Sequence, residues 1–433
     1  MKVLHVNTFE LAGGASRAAH RLHQALLAQG VCSEMLVMHK ESKAPAVHQP
    51  IGSRSRAARR LLEAVSDYVR RLQRVPEAGV LRSLNLFPSG LADWINASDC
   101  DVVNLHWLGG EMLSIEEIGR IRKPICWTLH DLWPLAGAEH YDDLGSPGRF
   151  RHPYDAANRP AGRSGPDLDA WVWRRKARAW RALSMELVAP SRWMAECAGG
   201  SALMHDVPCT IIPNALDTGT FRHESRARAR AALGLDPDTR YVLFGASSGP
   251  QDPRKGFTLL RSALQRLAAR ADARQIELLV FGASAASALQ GLPLPARPLG
   301  FIRDEVHLAR IYAAADVFAA PSLQDNLPNT VAEALACGTP VVAFATGGLA
   351  DLVTHRVSGW LAQPFSTEDF AEGLAHALAT PELGIRGRAE AVARFEAKQV
   401  AERYVGLYQR LAAAARNGTV AAAGRASRRA ASS

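Results

Sequence analysis

The feature that most constrains this chain is a repeated alternation of short apolar runs with segments of helical periodicity. The apolar runs are rich in Val, Ile and Leu, and they occupy residues 3–7, 101–106, 124–130, 241–245, 277–281, 316–320 and 340–344. Apolar runs of this kind are typical of parallel strands that helices cover on both faces. The sequence therefore predicts an α/β protein with two doubly wound parallel sheets in tandem.

The length of the chain supports two domains rather than one. Its 433 residues exceed the ~250–300 residues at which a single hydrophobic core stops growing. A loop at 141–169, rich in Gly, Pro and Arg, is predicted to be either a mobile functional loop or a disordered insertion. We predict a first domain at 1–213, a second at 214–392, a helix at 393–413 that packs back on the first domain, and a disordered tail at 414–433.

Positive charge is concentrated in one segment of the first half. The chain has 51 Lys and Arg against 42 Asp and Glu, a formal net charge of +9. Apolar residues recur from Leu61 to Leu72 at roughly helical spacing, which predicts an amphipathic basic helix that is either solvated or directed at an anionic membrane. No nucleic-acid-binding motif is present, so nucleic acid is not an expected partner. The arginines of this segment are Arg54, Arg56, Arg59, Arg60, Arg70, Arg71, Arg74 and Arg82.

Two further patterns concern the compartment. No apolar run approaches the ~18 residues that a membrane helix needs, and the apolar stretch at the start is too short for a signal peptide. We therefore expect a cytoplasmic protein, peripheral at the inner membrane face if the basic segment binds lipid. The six cysteines are scattered without a Cys-x-x-Cys pair, which predicts buried free thiols rather than disulfides or a zinc site.

The segment with the clearest chemical signature follows the predicted strand at 316–320. A polar loop carries Asp325, a helix begins near Pro328, and Glu333 lies on the second turn of that helix before it ends at Gly338. Backbone amides at the start of a helix favour an anion. Carboxylates on both sides of such a site suit a sugar nucleotide, because sugar hydroxyls can donate to carboxylates while amides bind the diphosphate.

This string resembles the Glu-x7-Glu signature of the retaining GT-B glycosyltransferases of family four, the group 1 glycosyl transferases, with Asp325 in place of the first glutamate. Asp-Asn-Leu-Pro-Asn-Thr is similar to a subgroup that acts in bacterial exopolysaccharide and colanic-acid assembly. The resemblance implies two Rossmann-like domains that face an interdomain cleft. It assigns Glu333 to the donor ribose and Asp325 to a hydroxyl of the transferred sugar. The loop residues implied to contact the diphosphate and sugar are Asn326, Leu327, Asn329 and Thr330.

Glycines and histidines of the first half extend the resemblance. Gly13 and Gly14 follow the first strand, as the family's glycine loop does, and permit close approach of a phosphate or acceptor. Alone they are also compatible with a dinucleotide enzyme, although Gly-x-Gly-x-x-Gly is absent. The family's histidine at the position of His130 contacts the donor sugar or diphosphate, and a purely structural histidine is the alternative. His106 is a second candidate, for the acceptor, and His140 belongs to a His-Tyr pair of the subgroup.

Basic residues after the first strand of the second half complete the expected donor site. The family uses a lysine here for the donor diphosphate, which Lys255 matches, with Arg254 beside it. Many members add an arginine where this chain has Gly249. Cations are unfavourable at the start of a helix, which favours an anionic ligand over a solvated pair. Phe301 lies in a stretch that resembles the border of the nucleotide base.

The resemblance implies a retaining glycosyltransferase that uses a nucleotide diphosphate-sugar, such as a UDP- or GDP-sugar. The implied acceptor is a hydroxyl of a saccharide or a polyprenyl-diphosphate-linked saccharide in bacterial surface polysaccharide biosynthesis. His130, Lys255 and Asp325 are predicted to be catalytic, without cofactor or metal. Alternatives are another two-domain enzyme of sugar nucleotides, such as a non-hydrolysing epimerase or a phosphorylase, and a catalytically silent GT-B protein that serves as a membrane-associated scaffold.

Overall fold

The structure is a computed structural model in which the chain divides into two compact units. The first comprises Met1–Ile212 and the chain from Ala401 onward, and the second comprises Pro213–Val400. The structure describes residues 1–50, 56–75, 81–142, 148–246, 252–270, 275–282 and 289–416, with the backbone alone for 56–60 and 246. Arg54 and Gly249, which the sequence singled out, lie outside the described residues.

The described part of the first unit is built on a seven-stranded parallel sheet of order β3-β2-β1-β4-β5-β6-β7. Its strands are β1 Lys2–Phe9, β2 Cys32–His39, β3 Val47–His48, β4 Val102–Leu105, β5 Ile125–Thr128, β6 Met185–Ala189 and β7 Cys209–Ile211. Its helices are α1 Gly14–Ala28, α2 Arg56–Leu72, α3 Leu91–Ala97, α4 Ile115–Ile118, α5 Leu168–Ala179 and α6 Arg192–Gly199. Short 3-10 turns lie at Trp133–Leu135 and Arg149–Arg151.

The second unit repeats this plan, with a parallel sheet of order β10-β9-β8-β11-β12-β13 among its described residues. Its strands are β8 Arg240–Ala246, β9 Ile276–Gly282, β10 Ala296–Gly300, β11 Val317–Ala320, β12 Val341–Phe344 and β13 Gly359–Ala362. Its helices are α7 Arg226–Leu233, α8 Phe257–Ala268, α9 Glu305–Ala314, α10 Asn329–Ala336, α11 Leu349–Leu352, α12 Thr367–Ala379 and α13 Glu382–Phe395, and α14 Ala397–Arg416 continues into the first unit.

Both sheets confirm the predicted fold class of two doubly wound parallel α/β units. Every residue of β4, β5, β11 and β12 is buried, which explains why these strands read as uninterrupted apolar runs. Strand order reverses between β1 and β4 in the first unit, and between β8 and β11 in the second. Ligands of such sheets bind beyond the carboxyl ends of the strands at that reversal. A ligand site is therefore expected in the loops after these four strands.

The C-terminal helix differs in extent from the one predicted at 393–413. Residues 393–395 belong to α13, and α14 reaches Arg416. The predicted disordered tail at 414–433 therefore begins too early, because 414–416 are helical; residues 417–433 lie outside the described part. Within the first unit, Asn104 Nδ2 donates to the Tyr408 hydroxyl at 2.6 Å, and the Tyr404 hydroxyl lies 3.2 Å from Thr128 Oγ1. These buried bonds join α14 to β4 and β5.

The Gly-, Pro- and Arg-rich stretch at 141–169 is packed over most of its length. Arg149 is buried and donates to Asp167 at 2.6 Å, and Arg163 donates to the fully buried Asp169 at 2.9 Å. A disordered insertion is therefore wrong for 148–169, because buried ion pairs order a segment that lacks helical or strand periodicity. Residues 143–147 are not among those described.

The structure bears on the predictions about membrane helices and cysteines. No helix among the described residues is both long enough and apolar enough to cross a membrane. All six cysteines are free thiols; Cys32 is exposed and Cys209 half-buried, and the others are buried as predicted.

Candidate functional site

The loop after β8 carries the basic pair on a 3-10 turn, Pro253–Lys255, rather than on the first turn of a helix as predicted. Gly256 follows with a φ of +66° and precedes the first residue of α8. A Cβ atom on Gly256 would lie 1.9 Å from the carbonyl oxygen of Pro321, in the loop after β11. Glycine thus lets the two loops at the strand-order reversal approach each other.

Replacing Gly256 with alanine should destabilise the protein by about 3 kcal/mol. The left-handed backbone costs ~1–2 kcal/mol for a residue with a side chain, and moving Pro321 adds ~1–3 kcal/mol. Gly234→Ala is the matched control, because Gly234 has a φ of +62° but open space around its Cβ position. Denaturant unfolding should show a loss of only ~1–2 kcal/mol for the control. Equal losses in both variants would show that the approach of the loops is unimportant for stability.

Lys255 and Asp325 contact each other across these loops. Lys255 Nζ donates to Asp325 Oδ2 at 2.5 Å, while Asp325 Oδ1 accepts from the Asn326 amide at 3.0 Å. The Asp325 backbone carbonyl accepts from the Gly348 amide at 2.9 Å. The two charged side chains are only about a fifth exposed, at 21% for Lys255 and 16% for Asp325. The structure therefore brings together the two residues that the sequence predicted for a phosphate and a sugar.

Arg254, which was predicted to share the anion, is held locally. Its guanidinium donates to Asp252 Oδ2 at 2.6 Å, and its backbone amide donates to Asp252 Oδ1 at 3.1 Å. Its carbonyl accepts from the Leu323 amide at 2.7 Å, which ties the turn to the loop after β11. Arg254 thus organises this turn, and a ligand would have to compete with Asp252 for its guanidinium.

Glu333 is buried on α10, with only 2% of its surface exposed. The Tyr312 hydroxyl, on α9, donates to Glu333 Oε2 at 2.9 Å. Val331, Ala334 and Leu335 are also buried, so α10 is covered on most sides. A buried carboxylate needs hydrogen-bond donors, and Tyr312 supplies one of them. No local pattern in the sequence indicates this bond, because Tyr312 and Glu333 are 21 residues apart in the chain.

The start of α10 is fixed by an asparagine from the beginning of the second unit. Asn214 Nδ2 lies 3.1 Å from Asn329 Oδ1 and 3.3 Å from the Leu327 carbonyl oxygen. Asn326 and Leu327 are buried, with 7% and 6% of their surfaces exposed, so the predicted ligand role falls mainly to their backbone. Thr330 is the second residue of the helix, as the predicted anion site requires.

Phe301 and the glycine loop occupy more open positions. Phe301 directly follows β10 and is half exposed. In the first unit, Gly13 precedes α1 with a φ of +88°, and no atom lies within 4 Å of the position where its Cβ would be. The helix itself begins at Gly14. Both features leave room for a ligand without defining one.

Three histidines of the first unit form one hydrogen-bonded chain. His5 Nδ1 lies 2.9 Å from His106 Nε2, and His106 Nδ1 lies 3.0 Å from His130 Nε2. His5 is in β1, while His106 and His130 follow β4 and β5, which are successive neighbours in the sheet. His130 and His106 were predicted as separate candidates, whereas His5 was not singled out. The feature that could have identified His5 is a polar residue within an otherwise apolar strand.

Burial keeps these rings uncharged. It lowers the pKa of His130 to about 4, a shift that the nearby Asp131 carboxylate opposes. Burial, together with the neighbouring imidazoles, lowers the pKa of His5 and of His106 well below the usual range. The rings of His5, His106 and His130 are therefore neutral near pH 7, so that each ring carries one N–H and one lone pair.

The neutral histidines predict a stability that falls in acid. In the unfolded chain they titrate near ~6.5, so between about pH 6.5 and about pH 4 that state binds protons that the folded cluster excludes. The free energy of unfolding should fall as the pH drops, by up to ~1.4 kcal/mol per pH unit for each histidine. In denaturant unfolding across this window, His106→Gln should have a slope shallower by about that amount. Parallel slopes would contradict the assignment.

The segment after His130 is braced by buried polar groups that the sequence did not reveal. His140 Nδ1 contacts Asp131 Oδ2 at 2.6 Å, and its Nε2 lies 2.7 Å from Ser83 Oγ. Burial raises the pKa of Asp131, but the bond and charge of His140 outweigh it and hold the pKa below its usual range. Lys176, fully buried, donates to the carbonyl of Gly137 at 2.6 Å. His140 thus positions this segment rather than standing open to a ligand.

The described part of the chain contains no group of three His, Cys, Asp or Glu side chains placed to hold a metal ion.

Two models of protein families match this chain. Residues 12–220 match "Glycosyltransferase Family 4", and residues 239–380 match "Glycosyl transferases group 1". The two matches include most of both sheets, with Lys255, Asp325 and Glu333 in the second. The chain therefore belongs to the family-four, group 1 glycosyltransferases, a class of transferases.

The chain is also similar to curated relatives and to solved structures. D-inositol 3-phosphate glycosyltransferase of Segniliparus rotundus is 37% identical over 191 residues, 41% of this chain and 41% of that one. The chain thus spans about two fifths of the length of this curated relative. Sucrose-phosphate synthase from Thermosynechococcus elongatus has a TM-score of 0.64 at 21% identity, covering 96% of this chain and 100% of that one. HepE of Anabaena, solved in complex with UDP-glucose, has a TM-score of 0.63 at 16% identity, covering 94% and 99%. These structural likenesses show the shared GT-B fold.

Proposed function

We propose that this protein is a retaining glycosyltransferase that moves a sugar from a nucleotide diphosphate-sugar to a hydroxyl group of an acceptor. The observation that carries this proposal is the 2.5 Å contact between Lys255 Nζ and Asp325 Oδ2. It lies just beyond β8 and β11, where the strand order of the second sheet reverses, and upstream of Glu333 on α10. A cation for a diphosphate and two carboxylates for hydroxyls are thus collected in one unit.

The pair of Lys255 and Asp325 suggests how the sugar nucleotide would bind. Lys255 and Asp325 neutralise each other while no donor is present, which limits the cost of burying two charges. A diphosphate-sugar offers phosphate oxygens to the Lys255 ammonium and a hydroxyl to the Asp325 carboxylate, so neither group loses a partner on binding. Glu333 would accept from the ribose hydroxyls while the Tyr312 hydroxyl steadies it. The backbone at Asn326–Thr330 completes the cradle for the phosphate and sugar.

The transfer step then needs stabilisation of a leaving diphosphate. The bond between the anomeric carbon and the diphosphate oxygen breaks, and its electron pair departs with the diphosphate. Lys255 and the amides at the start of α10 stabilise that charge more strongly as it develops, which lowers the barrier. The acceptor oxygen attacks from the same face, and its proton passes to the departing phosphate oxygen, so configuration is retained. We also propose that His130 contacts the donor sugar or diphosphate, as the family resemblance implies.

Two different acceptors are proposed, one from a sequence motif and one from the names of the relatives. The Asp-Asn-Leu-Pro-Asn-Thr string favours a saccharide or a polyprenyl-diphosphate-linked saccharide in bacterial surface polysaccharide biosynthesis. The relatives are named D-inositol 3-phosphate glycosyltransferases, which makes D-inositol 3-phosphate the alternative acceptor. Both acceptors offer ring hydroxyls, and the second adds a phosphate.

The test is a transfer assay with a panel of UDP-, GDP- and ADP-sugars against both acceptor types. A glycosylated product with the donor's anomeric configuration, seen by NMR, supports the proposal, and an inverted product overturns retention. The control is the Asp325→Ala/Glu333→Ala double variant, which should make no product. Donor turnover to an epimer or to a sugar phosphate without glycosylation would favour the rival enzymes. Donor binding without turnover of any kind would favour the silent scaffold.

A membrane-facing role for α2 is proposed from its exposed apolar stripe. Leu61, Val65, Tyr68 and Leu72 follow one helical face, with 65%, 40%, 68% and 44% of their surfaces exposed. Basic residues flank the stripe, including Arg70 and Arg71 in the last turn. Such a face suits an anionic bilayer surface, in keeping with a peripheral protein at the cytoplasmic side of the membrane.

Replacing Leu61 and Tyr68 with serine should weaken binding to vesicles that contain phosphatidylglycerol by about tenfold or more, because two exposed apolar side chains are lost. Vesicle co-sedimentation measures the effect. Vesicles of phosphatidylcholine alone are the control, and the wild type should bind them weakly. Equal binding by wild type and variant would contradict the role of the stripe.

A further inference from the structure

The exposed side of helix α5 in the first unit is basic and carries one large aromatic ring. Val172 and Lys176, four residues apart, are fully buried and fix which side of the helix faces the core. The opposite side carries Trp171, Arg174 and Arg178, whose spacing places them on one helical face. All three side chains are exposed, Trp171 at 39%. We call these three residues the α5 face.

The positive charge of the α5 face is not neutralised by its surroundings. Arg174 and Arg178 make no ion pair or side-chain hydrogen bond within the part of the chain that the structure describes. Asp169, the acidic residue of α5, is fully buried and accepts from Gln73 and Arg163 instead. Two exposed cations one helical turn apart without a counter-charge favour an anionic partner.

Trp171 is held in place on this surface by Arg175. The Arg175 guanidinium lies 4.7 Å from the centre of the Trp171 ring. It is itself fixed, because it donates to Glu116 Oε2 at 2.6 Å and to the Leu84 carbonyl at 2.8 Å. A fixed ring loses little conformational freedom when it binds a partner. Tryptophan suits the headgroup level of a bilayer in particular, because it combines an apolar ring with one N–H donor.

The first turn of α5 is bonded to the end of α2. Gln73, the residue directly after α2, donates to Asp169 Oδ2 at 2.7 Å and accepts from the Leu168 amide at 2.6 Å. Leu72, the last residue of the exposed α2 stripe, therefore lies next to the turn that carries Trp171. The α2 stripe and the α5 face are thus held beside each other within the first unit.

We propose that the α5 face is a second contact surface for an anionic bilayer, and this step rests on the peripheral membrane role proposed above. Arg174 and Arg178 bind lipid phosphates, and Trp171 enters the headgroup level. The α2 stripe supplies apolar contact, whereas the α5 face supplies most of the charge attraction. Two linked contacts bind a surface more tightly than either alone, because the second forms within the same complex.

Co-sedimentation of the full chain with vesicles that contain phosphatidylglycerol tests the charge of the α5 face. The Arg174→Gln/Arg178→Gln variant should bind these vesicles about 10- to 30-fold more weakly, because each basic residue near an anionic surface contributes about fivefold. The matched control is Arg222→Gln/Arg228→Gln, which removes two exposed arginines from the second unit and should bind like the wild type. Equal losses in both variants would show that net charge alone is responsible and would overturn the proposal. A wild type that does not bind would also overturn it.

Brominated phosphatidylglycerol tests the contact of Trp171 with lipid, because bromine quenches only tryptophans that it approaches closely. The chain has nine tryptophans, so the contribution of Trp171 is the difference between the wild type and Trp171→Phe. The expected result is strong quenching of the wild type and clearly less of the variant, with both proteins shown to be folded by thermal melting. Equal quenching of the two proteins would overturn the proposal.

The α5 face and the α2 stripe fail separately. Weaker binding by Arg174→Gln/Arg178→Gln, but not by Leu61→Ser/Tyr68→Ser, supports the α5 face and contradicts the role of the stripe. The reverse pattern supports the stripe and overturns the α5 face. Neither result depends on glycosyl transfer, so the transferase proposal stands or falls by its own assay.

Discussion

Lys255→Met should lower the rate of glycosyl transfer by about 100- to 1,000-fold, because it removes the cation that we propose lies beside the leaving diphosphate. Groups that stabilise developing charge in a transition state have effects of this size. Methionine keeps the apolar stem of lysine, so the packing of the 3-10 turn should survive. The variant should also bind free nucleoside diphosphate less tightly. The measurements are kcat and kcat/KM at saturating acceptor and Kd for the nucleoside diphosphate.

Arg254→Met is the control for Lys255, since the Arg254 guanidinium already pairs with Asp252. We expect it to lower transfer by about tenfold or less, the value of a single modest hydrogen bond. Similar losses in the two variants would mean that the anion is shared between Arg254 and Lys255. An unchanged Kd and rate in Lys255→Met would remove Lys255 from the donor site.

Glu333→Gln should weaken donor binding by about 10- to 100-fold, because the carboxylate that we propose accepts from the ribose hydroxyls becomes an amide with one acceptor. Hydrogen bonds to charged groups contribute ~1.5–3 kcal/mol. Glutamine can still accept from the Tyr312 hydroxyl, so the stability of the second unit should change little. Equilibrium binding of the donor, measured beside denaturant unfolding, separates the two effects.

Tyr312→Phe is the matched control for Glu333. It should lower the free energy of unfolding by ~1–3 kcal/mol, because the buried Glu333 carboxylate loses one of its hydrogen-bond donors. The affinity for the sugar nucleotide should fall less than in Glu333→Gln, since the carboxylate itself remains. A Glu333→Gln protein that binds the donor as tightly as the wild type would show that Glu333 serves only the core.

The parts of the fold that the sequence predicted well are those with strong local patterns. The fully buried strands Val102–Leu105 and Val341–Phe344 are continuous apolar runs, and such runs have few alternatives to a covered parallel strand. The short span from Asp325 to Glu333 was likewise visible because a loop and one helix turn set its geometry locally. The C-terminal end of α14 was misplaced, because its last residues carry the same Ala- and Arg-rich composition as the tail.

Features that depend on distant residues were not predictable in this way. The contact between Lys255 and Asp325 joins loops that are adjacent only because β8 and β11 are neighbours in the sheet. The histidine chain likewise requires the order β1-β4-β5 before His5 can be connected to His130. The packing at 148–169 involves buried ion pairs such as that between Arg163 and Asp169, and such pairs leave no periodicity in the sequence.

The central claim is that Lys255, Asp325 and Glu333 form a donor site for a nucleotide diphosphate-sugar. Ligand-observed NMR with a panel of UDP-, GDP- and ADP-sugars tests it most directly, with the Lys255→Met/Glu333→Gln double variant beside the wild type. The account predicts saturable binding of at least one sugar nucleotide to the wild type and its loss in the folded double variant. Absence of binding by every sugar nucleotide, or equal binding by both proteins, would contradict it.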